Sequence, residues 1–237
     1  MCPYKIDIDD LGFPIIKDND RIYITNSHHK IKIPVLDENT ALFLGIMWGD
    51  GCITNNNLAK ANYDWSIRIV EDDKLFLQSL LKLIKNIFYI EAHVFHYKVK
   101  YEVKFNSKII YHILNKQFKF PDGEKKDRLH IPLQILKDPS LSKNFLKGLF
   151  STDGCLTLSN NYPRITLSSA SFEFIKEVDK LLKKLKFRPN LNVYNRKVGN
   201  KLFNIRLNGY EQVRLFYKEI NFIGDKLPKL EKTLTAP

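Results

Sequence analysis

Two aspartates that end similar short segments are the residues of this sequence best placed for chemistry. Asp50 ends the segment 43–50, Asp153 ends the segment 146–153, and each is followed by glycine and cysteine, in the triplets Asp50-Gly51-Cys52 and Asp153-Gly154-Cys155. Carboxylate oxygens are preferred ligands of Mg²⁺, and two carboxylates held close together repel each other unless a cation or a proton lies between them. The repeated pattern therefore predicts a paired carboxylate site for a divalent cation.

Each aspartate is expected at the C-terminal end of a short helix. We expect Asp37 or Asn39 to cap the first helix and Ser142 to cap the second, because short polar side chains accept hydrogen bonds from the first free N–H groups. The glycine after each aspartate suits a left-handed residue just past a helix. A carboxylate at the negative end of the helix dipole is unfavourable, and a bound cation would offset that penalty.

Small residues on the two predicted helices indicate that their backbones meet. The predicted interface positions are Gly45, Gly49, Gly148 and Thr152. Without large side chains between them, two helices approach until their backbones almost touch. Such packing brings Asp50 and Asp153 together at one end of the helix pair.

The segments that follow the two motifs repeat one order of elements. Apolar residues alternate along strands such as 65–69 and 164–168, and recur at helical spacing along segments such as 74–84 and 172–185. The chain therefore predicts an α+β fold of two pseudo-twofold-related units, each in the order helix, strand, strand, helix, strand, strand, helix. We place the N-terminal extension at 1–38, the first unit with its linker at 39–138, and the second unit at 139–237.

One face of the predicted strands carries polar and basic residues of the types that contact base edges and phosphates. The other face is apolar, as Ile67 and Ile69 show on either side of Arg68. A solvated sheet face is also polar in many antiparallel sheets, but the basic residues favour a nucleic-acid surface. The predicted contacts are Ser66, Arg68, Lys100, Lys104, Arg164, Thr166, Ser168, Asn192, Tyr194, Arg196, Asn204 and Arg206.

The composition indicates a folded protein with an anionic partner. Hydrophobic residues make up 44% of the 237 residues, enough for a substantial core, and the formal net charge is +12. Such an excess of positive charge suits an acidic polymer. Three cysteines without C-x-x-C spacing give neither a disulfide framework nor a cysteine zinc site, and no apolar run is long enough for a membrane helix. We expect an intracellular protein, in the cytoplasm, the nucleoid or an organelle matrix, with no membrane partner.

At its two motifs the sequence resembles the LAGLIDADG homing endonucleases. The nine-letter motif aligns with 43–51 and 146–154, and its final Asp-Gly is intact in both copies, although Trp48 and Ser151 stand at its first acidic position. The resemblance covers roughly residues 36–237. It implies a monomer in which each unit forms a four-stranded antiparallel sheet and the two sheets form a saddle over DNA.

The resemblance also implies roles for the site residues. Asp50 and Asp153 would bind catalytic Mg²⁺ or Mn²⁺, assisted by the carbonyl oxygens of Gly49 and Thr152, and Ca²⁺ would bind without supporting cleavage. Family members place a lysine near the active site from the loop after each unit's last helix. We select Lys126, from a group that includes Lys125 and Arg128, in the first half and Lys226 in the second.

The implied function is a metal-dependent endonuclease that hydrolyses both strands of a long, asymmetric double-stranded DNA site and leaves short 3′ overhangs. Two alternatives use the same scaffold: a maturase that binds intron RNA, and a non-catalytic DNA-binding regulator. Because no His-Asn pair ends the sequence, we expect an intron-encoded or freestanding gene rather than an intein. Lys30, Lys32 and the pair His28-His29 suggest that the extension is a further DNA-contacting arm.

Overall fold

The first described residues form a small antiparallel sheet that the sequence patterns did not predict. The computed structural model describes residues 14–18, 21–26, 29–55, 65–194 and 201–235. Its first three strands are β1 (Ile15–Asp18), β2 (Arg21–Asn26) and β3 (His29–Lys32), which pair in the order β1-β2-β3. These strands precede the first of the two repeated units.

The first unit has the predicted order of elements. It consists of α1 (Glu38–Asp50), β4 (Gly51–Asn55), β5 (Trp65–Glu71), α2 (Lys74–Phe88), β6 (His93–Tyr97), β7 (Lys100–Asn106) and α3 (Lys108–His112). A π-helical turn, Ile113–Gln117, continues α3. A 3-10 turn at Lys126–Arg128 and the short helix α4 (Leu133–Lys137) then lead to the second unit.

The second unit repeats this order and adds one helix. It consists of α5 (Pro139–Asp153), β8 (Gly154–Ser159), β9 (Tyr162–Ser169), α6 (Phe172–Lys184), β10 (Asn190–Tyr194), β11 (Leu202–Asn208), α7 (Gly209–Glu219) and α8 (Lys226–Thr235). The sequence analysis did not predict α8.

The two units form matching four-stranded antiparallel sheets, as the fold prediction required. The strand orders are β4-β5-β7-β6 and β8-β9-β11-β10. In both sheets, the strand that follows the motif helix lies at one edge, and β6 or β10 lies at the opposite edge. The predicted α+β fold of two similar halves is confirmed.

The helices on the convex side of the sheets bury their apolar faces. In α2, Phe76, Leu80 and Ile84 are at most 1% exposed and recur every four residues, which places them on one face of the helix. By contrast, α1 is apolar on nearly all sides, and Phe43 and Leu44 are both fully buried. A helix of this kind has protein around its whole circumference, and α1 therefore forms the centre of the molecule. None of the described helices combines the length and apolar character of a membrane span.

The central helices α1 and α5 lie in direct contact through their small residues. A β-carbon built on Gly45 would overlap the backbone carbonyl oxygen of Phe145, and one built on Gly148 would overlap that of Leu42. Any larger residue at either glycine would therefore force the two backbones apart. The two helices therefore pack as closely as the small residues predicted.

The starts of the central helices were only partly predicted. Asp37 caps α1, as expected, and accepts a hydrogen bond from the Thr40 N–H at 2.8 Å. The prediction of Ser142 for α5 is wrong, because the helix begins earlier and Asp138 accepts from the N–H groups of Ser140 and Leu141. The Ser142 hydroxyl instead donates to the Ile135 carbonyl at 2.6 Å.

Candidate active site at the ends of the central helices

Asp50 and Asp153 are the last residues of α1 and α5, and the packing of these helices brings the two carboxyl groups to one site. A β-carbon on Gly49 would overlap the Thr152 hydroxyl and lie 3.5 Å from the carboxyl carbon of Asp153. The chain passes directly from each aspartate into a strand, β4 or β8. Each carboxylate therefore lies where a central helix meets the concave face of a sheet.

The glycines after the aspartates do not take the predicted left-handed conformation. Gly51 has φ −76° and ψ 154°, and Gly154 has φ −75° and ψ 143°, which is extended backbone open to any residue. The reason for glycine is space. A β-carbon on Gly51 would lie 2.6 Å from the Met47 α-carbon, and one on Gly154 would overlap the Phe150 carbonyl oxygen.

The surroundings of the two carboxyl groups raise the pKa values of both. Partial burial is the largest cause that raises the pKa of Asp153 to about 6, and the nearby charge of Asp50 is the second. Burial also raises the pKa of Asp50, whereas Lys125 and Lys226 lower it. Like charges in a low-dielectric site raise carboxyl pKa values in this way, and a divalent cation would offset the repulsion.

Two lysines, one from each half of the chain, bind the carbonyl oxygens at the ends of the central helices. The Lys226 ammonium donates to the carbonyl oxygens of Ser151 and Thr152, both at 2.6 Å. The Lys125 ammonium donates to the carbonyl oxygen of Trp48 at 3.2 Å and also to that of Gly49. Each lysine thus binds the free carbonyls at the end of one motif helix, where the helix dipole favours positive charge.

The structure places Lys226 where the sequence analysis expected it and corrects the choice in the first half. Lys125 reaches the site, whereas Lys126 begins the 3-10 turn and is exposed. Burial lowers the pKa of Lys125, and the charges of Asp153 and Asp50 oppose that effect. Adjacent residues entering a tight turn point in different directions, so one position decides which lysine faces the helix ends.

The residues at the helix ends fit a divalent cation with a small protein ligand set. Two carboxylates converge there, and the carbonyl oxygens of Gly49 and Thr152 each retain a second lone pair beside the lysine that they bind. Among the described residues, no cluster of three or more His, Cys, Asp or Glu side chains could hold a metal. The pair of carboxylates matches Mg²⁺, which proteins usually bind through one or two carboxylates with water and substrate phosphates.

A cleft of about 420 Å³ beside the helix ends contains an acid that the sequence analysis missed. Glu71 lines it together with Asp50 and Lys226. Burial is the largest cause that raises the pKa of Glu71 to about 7, although the N–H groups of Asp72 and Asp73 donate to its carboxylate at 2.9 and 3.2 Å. The available signal was its position at the end of a strand, two residues before the helix cap Asp73.

The two halves differ at this position. Gly51 pairs with Ile69 in the first sheet and Gly154 pairs with Leu167 in the second, so the structural counterpart of Glu71 is Ser169. The surroundings of Asp50 are therefore more acidic than those of Asp153. The pseudo-twofold repeat holds for the backbone and the aspartates but not for the residues beside them.

Most predicted nucleic-acid contacts lie on the concave faces of the sheets. In the first sheet Arg68 pairs across the strands with Cys52 and Lys104, and Lys104 pairs with His93. The corresponding row of the second sheet is Cys155, Thr166, Arg206 and Asn190. Among the remaining predicted residues, those at least partly exposed are Lys100, Arg164, Ser168, Asn192 and Tyr194. Lys100 lines the cleft beside Asp50.

Three predicted contacts have a different outcome. Ser66 and Asn204 are only 2% and 8% exposed. In this structure, contrary to the prediction, these two side chains are not accessible to a nucleic acid. Both lie on central strands, with a paired strand on either side. Ser66, for example, lies between Thr54 and Asn106. The third, Arg196, lies outside the described residues.

Comparison with protein families gives a match in the second half of the chain. Residues 140–221 match the family model of the LAGLIDADG-like domain. The matched segment contains the second motif helix, all four strands of the second sheet, and Asp153.

Solved structures match across both halves. The structure of I-DmoI in complex with DNA and Mn covers 78% of this chain and 97% of that chain, with a TM-score of 0.60 and 18% sequence identity. The I-LtrWI LAGLIDADG homing endonuclease bound to target DNA covers 84% of this chain and 89% of that chain, with a TM-score of 0.58 and 14% identity. At these identities the likeness is one of fold.

Curated proteins match this chain over a small part of their own length. A probable translation initiation factor IF-2 of Methanocaldococcus jannaschii is 29% identical over 204 residues, which are 84% of this chain and 15% of that protein. A DNA polymerase of Thermococcus litoralis is 27% identical over 159 residues, which are 63% of this chain and 9% of that protein. The chain thus spans less than a sixth of the length of either relative.

Proposed function

This chain carries a LAGLIDADG-like domain within the fold of the homing endonucleases, and from that premise we propose that it is a site-specific DNA endonuclease. It hydrolyses both strands of a long, asymmetric duplex site in a reaction that needs a divalent cation, and it leaves short 3′ overhangs. The observation that carries the proposal is the convergence of Asp50 and Asp153 with Lys125 and Lys226 at the ends of the central helices.

The shape and charge of the surface around this site support duplex DNA as the substrate. The two concave sheet faces adjoin the helix ends on either side and carry basic rows such as Arg68 with Lys104. A duplex that passes over both faces would be contacted along about two helical turns, roughly 20 bp. Because the side chains on the two faces differ, the sequence that they read need not be palindromic. The protein acts as a monomer, since one chain supplies both halves.

The residues at the helix ends divide the catalytic work. Asp50 and Asp153 hold Mg²⁺ or Mn²⁺, which supplies Lewis acidity and lowers the pKa of water when it is bound. Lys125 and Lys226 place positive charge beside the carboxylates, where the charge of a reacting phosphate develops. Each aspartate serves mainly one DNA strand, so that two cuts arise from one pseudo-symmetric site. Ca²⁺ is expected to bind at the same carboxylates without supporting cleavage.

The curated relatives bear on how such an enzyme is encoded. An initiation factor and a DNA polymerase are unrelated in name, yet each contains a segment similar to this chain that makes up a small part of its length. This pattern is typical of a unit that is inserted into longer proteins. We therefore propose that this unit is encoded in one of two ways: as an insertion within a longer host protein, or as the intron-encoded or freestanding gene expected from the sequence. In either case it acts in a cellular compartment that holds DNA.

The deciding experiment is cleavage of a deep library of randomised duplexes with Mg²⁺, with EDTA and the double variant Asp50→Asn/Asp153→Asn as controls. We expect metal-dependent cutting at one long sequence, and no cutting by the double variant, which should retain binding. Tight duplex binding by the wild type without any cutting would point to a regulator instead. Absence of DNA binding, together with binding of intron RNA, would point to a maturase.

A further inference from the structure

The N-terminal sheet packs beside the outer part of the first unit. Ile31 of β3 is 3% exposed and belongs to the main hydrophobic core. The Lys32 ammonium donates to the Asn86 carbonyl in α2 at 3.4 Å, and the rings of Tyr23 and Tyr89 have centroids 6.0 Å apart. These contacts fix β1–β3 in a defined position against the first unit.

A groove of about 700 Å³ lies where the N-terminal sheet meets the first unit. The groove is lined by Lys30 and Ile31 of β3 and by residues of β6 and β7, including His93, Phe95, Lys104 and Asn106. The N-terminal sheet and the concave face thus share one continuous surface.

The charges that line this groove favour an anionic occupant. The Lys30 ammonium lies 4.0 Å from the centroid of the Tyr23 ring, a cation–π contact that orients this exposed side chain. Lys104 adds a second positive charge to the lining of the groove. Glu91 also lines the groove, but its carboxylate binds the Lys85 ammonium at 2.9 Å, which compensates its charge.

The groove also lies in line with the candidate active site. The cross-strand row from Cys52 through Arg68 and Lys104 to His93 begins beside Asp50 and ends at the groove. Strands of a sheet are about 4.8 Å apart, so β6 lies about 14 Å further from the helix ends than β4. A duplex that follows this row outward from the cut would therefore reach the groove next.

We propose that the N-terminal sheet is an additional DNA-contacting element, and that the groove beside Lys30 binds backbone phosphates of the duplex outside the first half-site. This inference rests on the proposed function, because it takes the DNA to lie along the concave faces. Within the described residues the second unit has no three-stranded sheet at its outer edge. The protein should therefore contact a longer flank on one side of the cut than on the other.

The test compares duplexes that are shortened from one end or from the other, using the full chain. For the wild type, trimming one flank should weaken binding about five- to tenfold, and trimming the other should not. Lys30→Glu should bind the full duplex as weakly as the wild type binds the trimmed one, with no further loss on trimming. The matched control is Lys180→Glu on the exposed surface of α6, which should behave as the wild type does.

The outcomes separate this inference from the proposed function. Cleavage that persists with equal dependence on both flanks, or an unchanged affinity of Lys30→Glu, would overturn the role of the N-terminal sheet and leave the endonuclease intact. One-sided flank dependence that Lys30→Glu removes would support the sheet even if no duplex were cut. Failure of the wild type to bind any duplex would overturn both.

Discussion

At the scale of single residues, adjacent lysines with different surroundings provide a sharp test of the site. Lys125 binds carbonyl oxygens at the end of α1, whereas Lys126 is exposed. Lys125→Met removes the positive charge beside both aspartates, so we expect a loss of cleavage of at least about 100-fold with DNA binding within a few-fold of wild type. Single-turnover cleavage and fluorescence anisotropy would measure the two effects.

Lys126→Met is the matched control for this substitution, because it removes the same charge one residue away. It should cut DNA at close to the wild-type rate. If Lys126→Met were the inactive variant and Lys125→Met the active one, the geometry assigned to the first half of the site would be wrong. Thermal melts of both variants would show whether either loss reflects unfolding.

The raised pKa of Asp153 predicts how stability depends on pH when no metal is present. Because folding raises this pKa from 3.8 to about 6, the folded chain holds the proton more tightly than the unfolded chain. The stabilising contribution is therefore complete below about pH 4 and is lost as the pH rises through about 6. Asp153→Asn keeps a neutral group, so we expect it to raise the free energy of unfolding more near pH 7.5 than near pH 4.5.

Urea unfolding in EDTA at the two pH values would measure this difference. Asp127→Asn, in the exposed 3-10 turn, serves as the control for removing one negative charge from a basic protein. An equal effect of Asp153→Asn at both pH values would show that folding does not raise the pKa of Asp153.

At the scale of elements, the contact between α1 and α5 positions the whole site. In an exposed helix, replacing glycine by alanine stabilises the fold by about 1 kcal/mol. At Gly45 the new methyl group would overlap the Phe145 carbonyl, so we expect Gly45→Ala to destabilise the protein by about 1–3 kcal/mol or more. Ser79→Ala, on the exposed surface of α2, is the control for an added helix former.

Denaturant unfolding would measure both variants, and cleavage by the fraction of Gly45→Ala that folds would show whether the helix ends are displaced. A stabilising effect of Gly45→Ala would mean that the two backbones are not in contact. A folded variant with a lower cleavage rate would indicate that the close approach serves catalysis as well as stability.

At the scale of the whole molecule, the net charge of +12 predicts strong salt dependence of DNA binding. If the two concave faces make about six to ten phosphate contacts, affinity should fall about 10³- to 10⁵-fold between about 50 and 200 mM salt. Anisotropy titrations at several salt concentrations would give the slope. An affinity that hardly changes with salt would contradict a binding mode based on backbone phosphates.

The sequence by itself determined the order of elements that the two units share, the repeat and the two aspartates. Alternating apolar residues such as Ile67 and Ile69 define strands locally, and fourfold spacing such as Phe76, Leu80 and Ile84 defines helices, so these features do not depend on distant parts of the chain. The small residues on the motif helices likewise predicted the close packing of α1 against α5 from residue size alone. The paired carboxylate site followed from these local patterns.

Only the tertiary structure decided which residues surround the aspartates. Lys125 rather than Lys126 faces the helix ends because adjacent residues at the start of a tight turn point in different directions. Glu71 becomes part of the site because β5 ends beside α1. Ser66 is buried on a strand that is paired on both sides. These outcomes depend on packing between segments far apart in the chain, which local periodicity does not encode. The placement of the N-terminal sheet beside the concave face was decided in the same way.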